Sequence, residues 1–491
     1  MTWNRGSDDV WDNFARLSGD PGWSWESVKK YNHKASRLTP PQDGHDTTGQ
    51  VIPAAHGNGE VLTSLPGFPT DLDPIVTDTA EALGKYNRDF NAGDMIGFGF
   101  VQNSIGNGER SSAATAYLAP ALKRPNLDVV INSRATKVFA SQPSLDGEPV
   151  INAVQIAPSE SGSRLNVTAS REVILSAGAF GTPQLLLLSG IGPKDRELSK
   201  LEIPVILDSP DVGKYLTDHP LVTVYYEVNS NTSFDPVLRS ESTIIPPLLE
   251  QWESNRTGLL VVPRSIAAFL KNPPGFLSGQ DPSSGPRSGN IEIIFVNGFT
   301  GSVGSVPPST GRFLTVVTAV VSPTSRELSV HLAAGLSVEV IITGGAVTLR
   351  STNPFDDPVI DPGLYTTEFD MQTMVQAMKT VDEFVHGPRW NGYIKKPLVR
   401  FKNDQDRENY ARNNSGTVNH PVGTARMGPG GVTDGVVDSS LRVKGVKGLR
   451  VVDASVLPQI PENHPQAVVY IVAERASDLI KSQELQAVFF N

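Results

Sequence analysis

The chain has 491 residues, 38% hydrophobic and 19% charged, an ordinary globular composition in a chain longer than one hydrophobic core usually serves, so two domains or two interleaved lobes are expected. A net charge of −10 argues against a basic surface that tracks a phosphate backbone, and no nucleic-acid partner is expected. With no cysteine, thiolate metal sites, cysteine nucleophiles and disulfides are excluded.

Met1 is followed by TWNRGSDDVWDNF, which has neither a basic start nor an apolar core, so no signal peptide is expected. Apolar runs such as the one from Phe313 are too short to span a bilayer, and no membrane partner is expected. Glycosylation sequons stand at Asn166, Asn231, Asn255 and Asn413, a number that chance alone supplies in so long a chain. No fixed-period repeat is present, which argues against a solenoid or propeller. Two glycine-rich stretches, GFGFVQNSIGNG from Gly97 and GPGGVTDG from Gly428, lack the strand-glycine-helix context of a dinucleotide turn.

In REVILSAGAFGTPQLLLLSGIG, Val173–Leu175 reads as a buried strand, 176–178 as a small-residue turn that lets a ligand approach, and 182–189 as a helix ended by Gly190. From Ile206 to Ala411 the chain is rich in Pro, Gly and Ser, holds isolated strands such as NIEIIFVNGF, and reads as a second lobe. One helix is clear within it, 369–385, started by Thr367 with Asp370 in capping-box spacing and stopped by HGP. Leu449–Val452 reads as a strand whose carboxyl end, at Asp453, opens onto a crevice. Asn463 is a candidate helix cap and Pro465 a first-turn residue, followed by Val468, Val472, Ala476 and Leu479 or Ile480 at helical spacing; His464 therefore stands at a helix N-terminus.

The eight histidines are at 33, 45, 56, 219, 331, 386, 420 and 464, with no HExxH or similar pair, so no metal site is expected. His386 reads as a helix-end cap, and His33, His45 and His56 as solvated loop residues. His420 and His464 are flanked by Asn, Pro and Gly instead of a periodic apolar pattern, which leaves structural and catalytic roles equally open. A Ser-His-Asp hydrolase lacks its GxSxG elbow, since LLSGIG ends a helix.

REVILSAGAFGTPQLLLLSGIGP resembles the second signature of the glucose-methanol-choline (GMC) oxidoreductases, and the likeness continues through DVGKYLTDHP, STNPFDDPVIDP, VNHPVGTARMG, VDSSLRVKGVKGLRVVDASVLP and NHPQAVVYIVAERASDLI, in family order. RGS, GDPGWSW, SLPGFPT and IGNGERSSAATAYL resemble the aryl-alcohol oxidases and pyranose dehydrogenases within that family. The resemblance implies an α/β FAD-binding domain with an α+β second lobe on an antiparallel sheet: residues 1–205 largely FAD-binding, 206–411 substrate-binding, and 412–491 a return carrying the active-site histidines. It implies a secreted FAD enzyme that moves hydride from an alcohol or sugar carbinol to flavin N5, with oxygen or a quinone as electron acceptor. A hydroxynitrile lyase branch, which keeps flavin without redox turnover, is the alternative.

By the same resemblance His420 takes the hydroxyl proton, which suits a side chain whose pKa is about 6.5. His464, 44 residues later, bonds the alcohol oxygen, and its helix start favours the negative charge that gathers on the reduced flavin. Val138 corresponds to an adenine contact, Ala177 and Gly178 to a turn near the adenosine, Asp453 and Ala454 to a contact near the pyrophosphate, and Pro465 to a cofactor position. Phe299 lines the substrate entrance. Asn419 stands where aryl-alcohol oxidases carry an aromatic, a departure in the pocket. His219 is given a structural role.

Two further departures are expected. Family members begin with a strand-GxGxxG-helix unit that this sequence does not show, so the chain reads as truncated, with apolar neighbours of the central strand exposed and FAD binding in question. Residues 327–343 interrupt a family-like run from SPTSR to GGAVTLRSTNPFD, and read as translated intron or as a surface insertion.

Overall fold

The computed structural model describes residues 2–142, 147–261, 265–301, 306–325, 328–332, 338–342 and 344–489. A seven-stranded antiparallel sheet is built from β1 (Gly97–Phe100), β2 (Pro220–Val228), β3 (Ile266–Leu270), β4 (Ile291–Val296), β5 (Phe313–Val320), β6 (Ile394–Pro397) and β7 (Gly416–Thr417). Its order is β6-β2-β5-β4-β3-β1, with β7 also paired to β2. β3, β4 and β5 are buried along their whole lengths, as near-continuous apolar runs covered on both faces must be.

Alternation sorts these strands into two layers. Ile291, Ile293 and Phe295 pack with Met371, Met374, Met378 and Val381, whereas Ile294 and Val296 pack with Phe90, Met95 and Phe269. Glu292 shares the second face. In register it lies beside Ala319 of β5, which lies beside Leu221 of β2, so Glu292 falls in a row two residues beyond His219.

The second core surrounds a parallel pair, Val173–Leu175 beside Leu449–Val451. Three helices matter to the site: α1 (Gly178–Leu188), α2 (Glu368–Val385) and α3 (Gln466–Phe489). α1 starts four residues earlier than its apolar run suggested, and Gly190 follows it at φ +81°. α2 matches its expected span, but no capping box forms. Thr367 makes no side-chain cap, and the Asp370 carboxylate instead accepts from Thr324 N (2.7 Å) and Ser325 N (3.1 Å). Asn463 is not an N-cap acceptor either: its Nδ2 donates to the Asn4 and His464 carbonyls, both at 2.8 Å.

The expected division after residue 205 is not how the chain packs. Leu72, Val76, Ala80 and Phe98 join the core of the seven-stranded sheet, and Leu349 joins the core of the parallel pair. Ile174 is 42% exposed and Ile131 73%. Of the 327–343 segment, Leu328–Leu332 and Val338–Ile342 form a two-stranded hairpin of their own; residues 327, 333–337 and 343, and the His331 side chain, lie outside the described residues. No described helix is long and apolar enough to cross a membrane.

Candidate active site

Two short segments bring His219 and His420 together. β2 begins at Pro220 and pairs with Thr417 of β7, so His219 lies against Val418, whose amide donates to the His219 carbonyl (3.1 Å). Asn419 then adopts φ +62°, a left-handed turn that asparagine tolerates, exposing its own side chain and turning His420 inward. The Asp218 carboxylate fastens both: its Oδ1 accepts from His219 N (2.7 Å) and His420 N (2.9 Å). Burial pushes the Asp218 carboxyl up to about 6, against the pull of those two amides.

The His219 and His420 rings meet through their Nδ1 atoms at 3.1 Å. His219 is fully buried, and that burial pushes its imidazole down to about 3, so it is neutral at working pH. The His420 ring in turn stands edge-on to His464, with centroids 4.6 Å apart. His464 sits two residues before α3, beside the amides that open that helix, and its Nε2 lies 2.7 Å from Oε1 of the buried Glu292. His219, His420, His464 and Glu292 thus form a contiguous buried row linking both cores.

Glu292 and Asp218 were not singled out from the sequence. The signal for Glu292 was present: one carboxylate inside the apolar strand run IEIIF must find a partner when buried. Among the solvated-loop histidines, His45 pairs with Asp43 as a loop residue, but His56 is a correction, since its side chain is buried and bonds Asp89 Oδ2 at 2.8 Å. His386 bonds the Asp382 carbonyl at the end of α2, as a cap does.

The other expected site residues scatter. Phe299 stacks on Tyr225 (4.6 Å between centroids), beyond the far end of β4; the four residues from Glu292 to Val296 alone span about 13 Å, so Phe299 is not beside the histidines. Ala177 is exposed and Gly178 has φ +78° with nothing within 4 Å of where a Cβ would stand. That open turn lies at the carboxyl end of a parallel strand, the position where α/β sheets take nucleotides. Val138 is fully buried and its amide donates to Ser189 Oγ (2.9 Å), while Ala135 on the same strand is the exposed residue. Asp453 uses its carboxylate internally, accepting from Gly178 N (3.0 Å), Thr182 Oγ1 (2.6 Å) and Ser455 N (2.8 Å). Ala454 opens the short turn that follows, and the Pro465 carbonyl accepts from Val469 N in the first turn of α3.

These features fit FAD at two places, the open turn at Ala177–Gly178 and the start of α3 beside His464. GFGF of the first glycine-rich stretch is β1 of the antiparallel sheet. The first amide of α1 is occupied by Asp453, so that helix start does not present a free pyrophosphate cradle.

The models of the GMC oxidoreductase family match residues 1–221 and 343–473. A dehydrogenase of Hericium erinaceus, eriK, is 36% identical, over 98% of this chain and 79% of its own length. Pyranose dehydrogenase 3 of Leucoagaricus meleagris is 30% identical, over 98% and 78%. Among solved structures, formate oxidase of Aspergillus oryzae superposes with a TM-score of 0.86 at 27% identity, over 99% of this chain and 83% of that one. The chain belongs to the GMC oxidoreductase family. It is an FAD-dependent oxidoreductase by that membership. The family matches do not support the expectation of a truncated chain.

Proposed function

We propose that this protein oxidises the CH–OH group of a small alcohol or sugar, with His420 as the base. The observation that carries the reading is the edge-on pair of His420 and His464 at the start of α3. FAD bound beside these histidines would supply the hydride acceptor. His420 accepts the hydroxyl proton. His464, its Nε2 tied to the buried Glu292 carboxylate, is held in a fixed orientation beside the alcohol oxygen. Both histidines are buried, so water is held away from the proton as it moves.

The face of the seven-stranded sheet that runs from Glu292 to Tyr225 and Phe299 is the proposed floor of the substrate approach, with 206–411 supplying most of it. Ala177 and Gly178 are the proposed adenosine side, and Asp453, Ala454 and Pro465 the segments that shape the cofactor's surroundings. Oxygen or a quinone is the proposed electron acceptor, and an extracellular location follows from the family resemblance.

The test is anaerobic mixing of the FAD-loaded protein with a panel of alcohols and sugars, following flavin bleaching. His420→Ala should slow bleaching about a hundredfold or more, as loss of a general base does. Near-normal bleaching would remove His420 from the mechanism. Flavin that stays oxidised while a cyanohydrin is cleaved would place the chain with the lyases.

A further inference from the structure

The side chains around the histidines differ in what they offer an alcohol and a sugar. Residues directly opposite one another across a sheet point to the same face. On the face that carries Glu292, the nearest cross-strand row is Leu221 of β2, Ala319 of β5 and Glu292 of β4. The next row out is Thr223, Val317 and Ile294. The two polar side chains in these rows are already engaged: Glu292 with His464 at 2.7 Å, and the Thr223 hydroxyl with that of Tyr225 at 2.6 Å. The other four are hydrocarbon.

Phe90 covers this face on the β3 side, edge-on to Phe269 with centroids 5.3 Å apart. On the β2 side the face stays partly open, because Leu221 and Val418 pack against its core and still keep some surface exposed. These two residues flank the histidines. Leu221 follows His219 by two positions, Val418 precedes His420 by two, and the Val418 amide donates to the His219 carbonyl (3.1 Å).

A pyranose carries a hydroxyl on most of its ring carbons, and each one buried without a partner weakens binding about tenfold or more. An alkyl or aryl body instead covers Leu221 and Val418, and each buried methylene strengthens binding about fourfold. We propose that the substrate is an alcohol whose carbinol is borne on an apolar chain or ring, not a sugar, and that Leu221 and Val418 are the residues that select it. The inference rests on the alcohol oxidation proposed above and names which of its two substrate classes the site takes.

The test is anaerobic stopped-flow reduction of the FAD-loaded full chain by straight-chain primary alcohols from propanol to hexanol, beside glucose and xylose. The reduction rate at low substrate concentration should rise about fourfold per methylene, and hexanol should exceed either sugar by about a hundredfold or more. In Leu221→Asn the rise with chain length should flatten and the margin over the sugars narrow. Faster reduction by a sugar than by hexanol, or a rate indifferent to chain length, overturns the proposal. If Leu221→Asn does not fold, the wild-type series and Val418→Ser decide. Calorimetry on the FAD-loaded His420→Ala chain gives a readout without turnover, in which hexanol should bind about fiftyfold more tightly than propanol. A flat binding series removes the apolar site whatever the flavin does. A steep series with no bleaching of the wild-type flavin by any alcohol supports the apolar site and removes the oxidation beneath it.

Discussion

His464 Nε2 lies 2.7 Å from Oε1 of Glu292, a carboxylate on a fully buried strand 172 residues away in sequence. A carboxylate is costly to bury, and here it is matched by the His464 ring that it holds against His420. Glu292→Gln keeps the shape and removes the charge; flavin reduction should slow about tenfold or more with substrate binding less affected, as expected for an interaction realised in the transition state. Stopped-flow reduction across substrate concentrations separates the two effects. A change in binding alone would make Glu292 a packing residue.

Asp218 and His219 act on stability in opposite senses as pH changes. The folded chain holds the Asp218 proton up to about pH 6, whereas the unfolded chain releases it near 3.8, so this carboxyl makes the fold less stable as pH rises between those values, by about 3 kcal/mol. The folded chain keeps His219 neutral down to about pH 3, whereas the unfolded chain protonates it below 6.5, so this ring makes the fold more stable as pH rises through that window, by about 5 kcal/mol. Their contributions offset one another in the intact protein. Asp218→Asn keeps an acceptor for both amides and removes the first contribution, so its urea midpoint should climb more steeply than wild type between pH 4 and 6.5. Parallel curves would show that the carboxyl titrates normally.

The neighbourhood of His420 and His464 was legible because turn residues and strand ends are local signals. Val173–Leu175 and the strand from Leu449 were read from short apolar runs, and both lie where expected. What escaped depends on distant partners. Asn463 has the sequence of a helix cap, yet its amide is drawn to the Asn4 carbonyl, 459 residues away, so a tertiary bond displaced a local one. Asp370 sits in capping-box spacing, yet the turn at Thr324–Ser325 claims it. His56 looks like a loop residue until Asp89 is folded against it. Glu292 and Asp218 could be suspected from their neighbours, but only the sheet register brings them to His464 and His420.

Two glycines with similar backbones should respond differently to alanine. Gly178 has φ +78° and open space at its Cβ position, so Gly178→Ala meets only the left-handed backbone cost, about 1 kcal/mol. Gly423, three residues after His420, has φ +89°, and a Cβ there would lie 2.6 Å from the Tyr215 carbonyl oxygen. The backbone on both sides would have to move, and Gly423→Ala should cost about 3 kcal/mol or more. Urea unfolding of the two variants gives the comparison directly; equal costs would mean that the Tyr215 segment yields easily.

Asp453 ties the parallel pair to α1, and its loss should be felt at the open turn. In Asp453→Ala, the amides of Gly178 and Ser455 and the Thr182 hydroxyl lose their acceptor together. Thr182 and Ser455 are buried, so water replaces little of this, and stability should fall by about 2–4 kcal/mol. Asp453→Asn retains one acceptor oxygen and should fall between the two. Because Gly178 is held from one side by this carboxylate and is open on the other, the turn should also loosen, and FAD should bind more weakly to the alanine variant at a temperature where it remains folded. Fluorescence titration with FAD beside a thermal melt reads both quantities. Lowered stability with unchanged FAD affinity would confine Asp453 to holding the fold and take the Ala177–Gly178 turn out of the cofactor site.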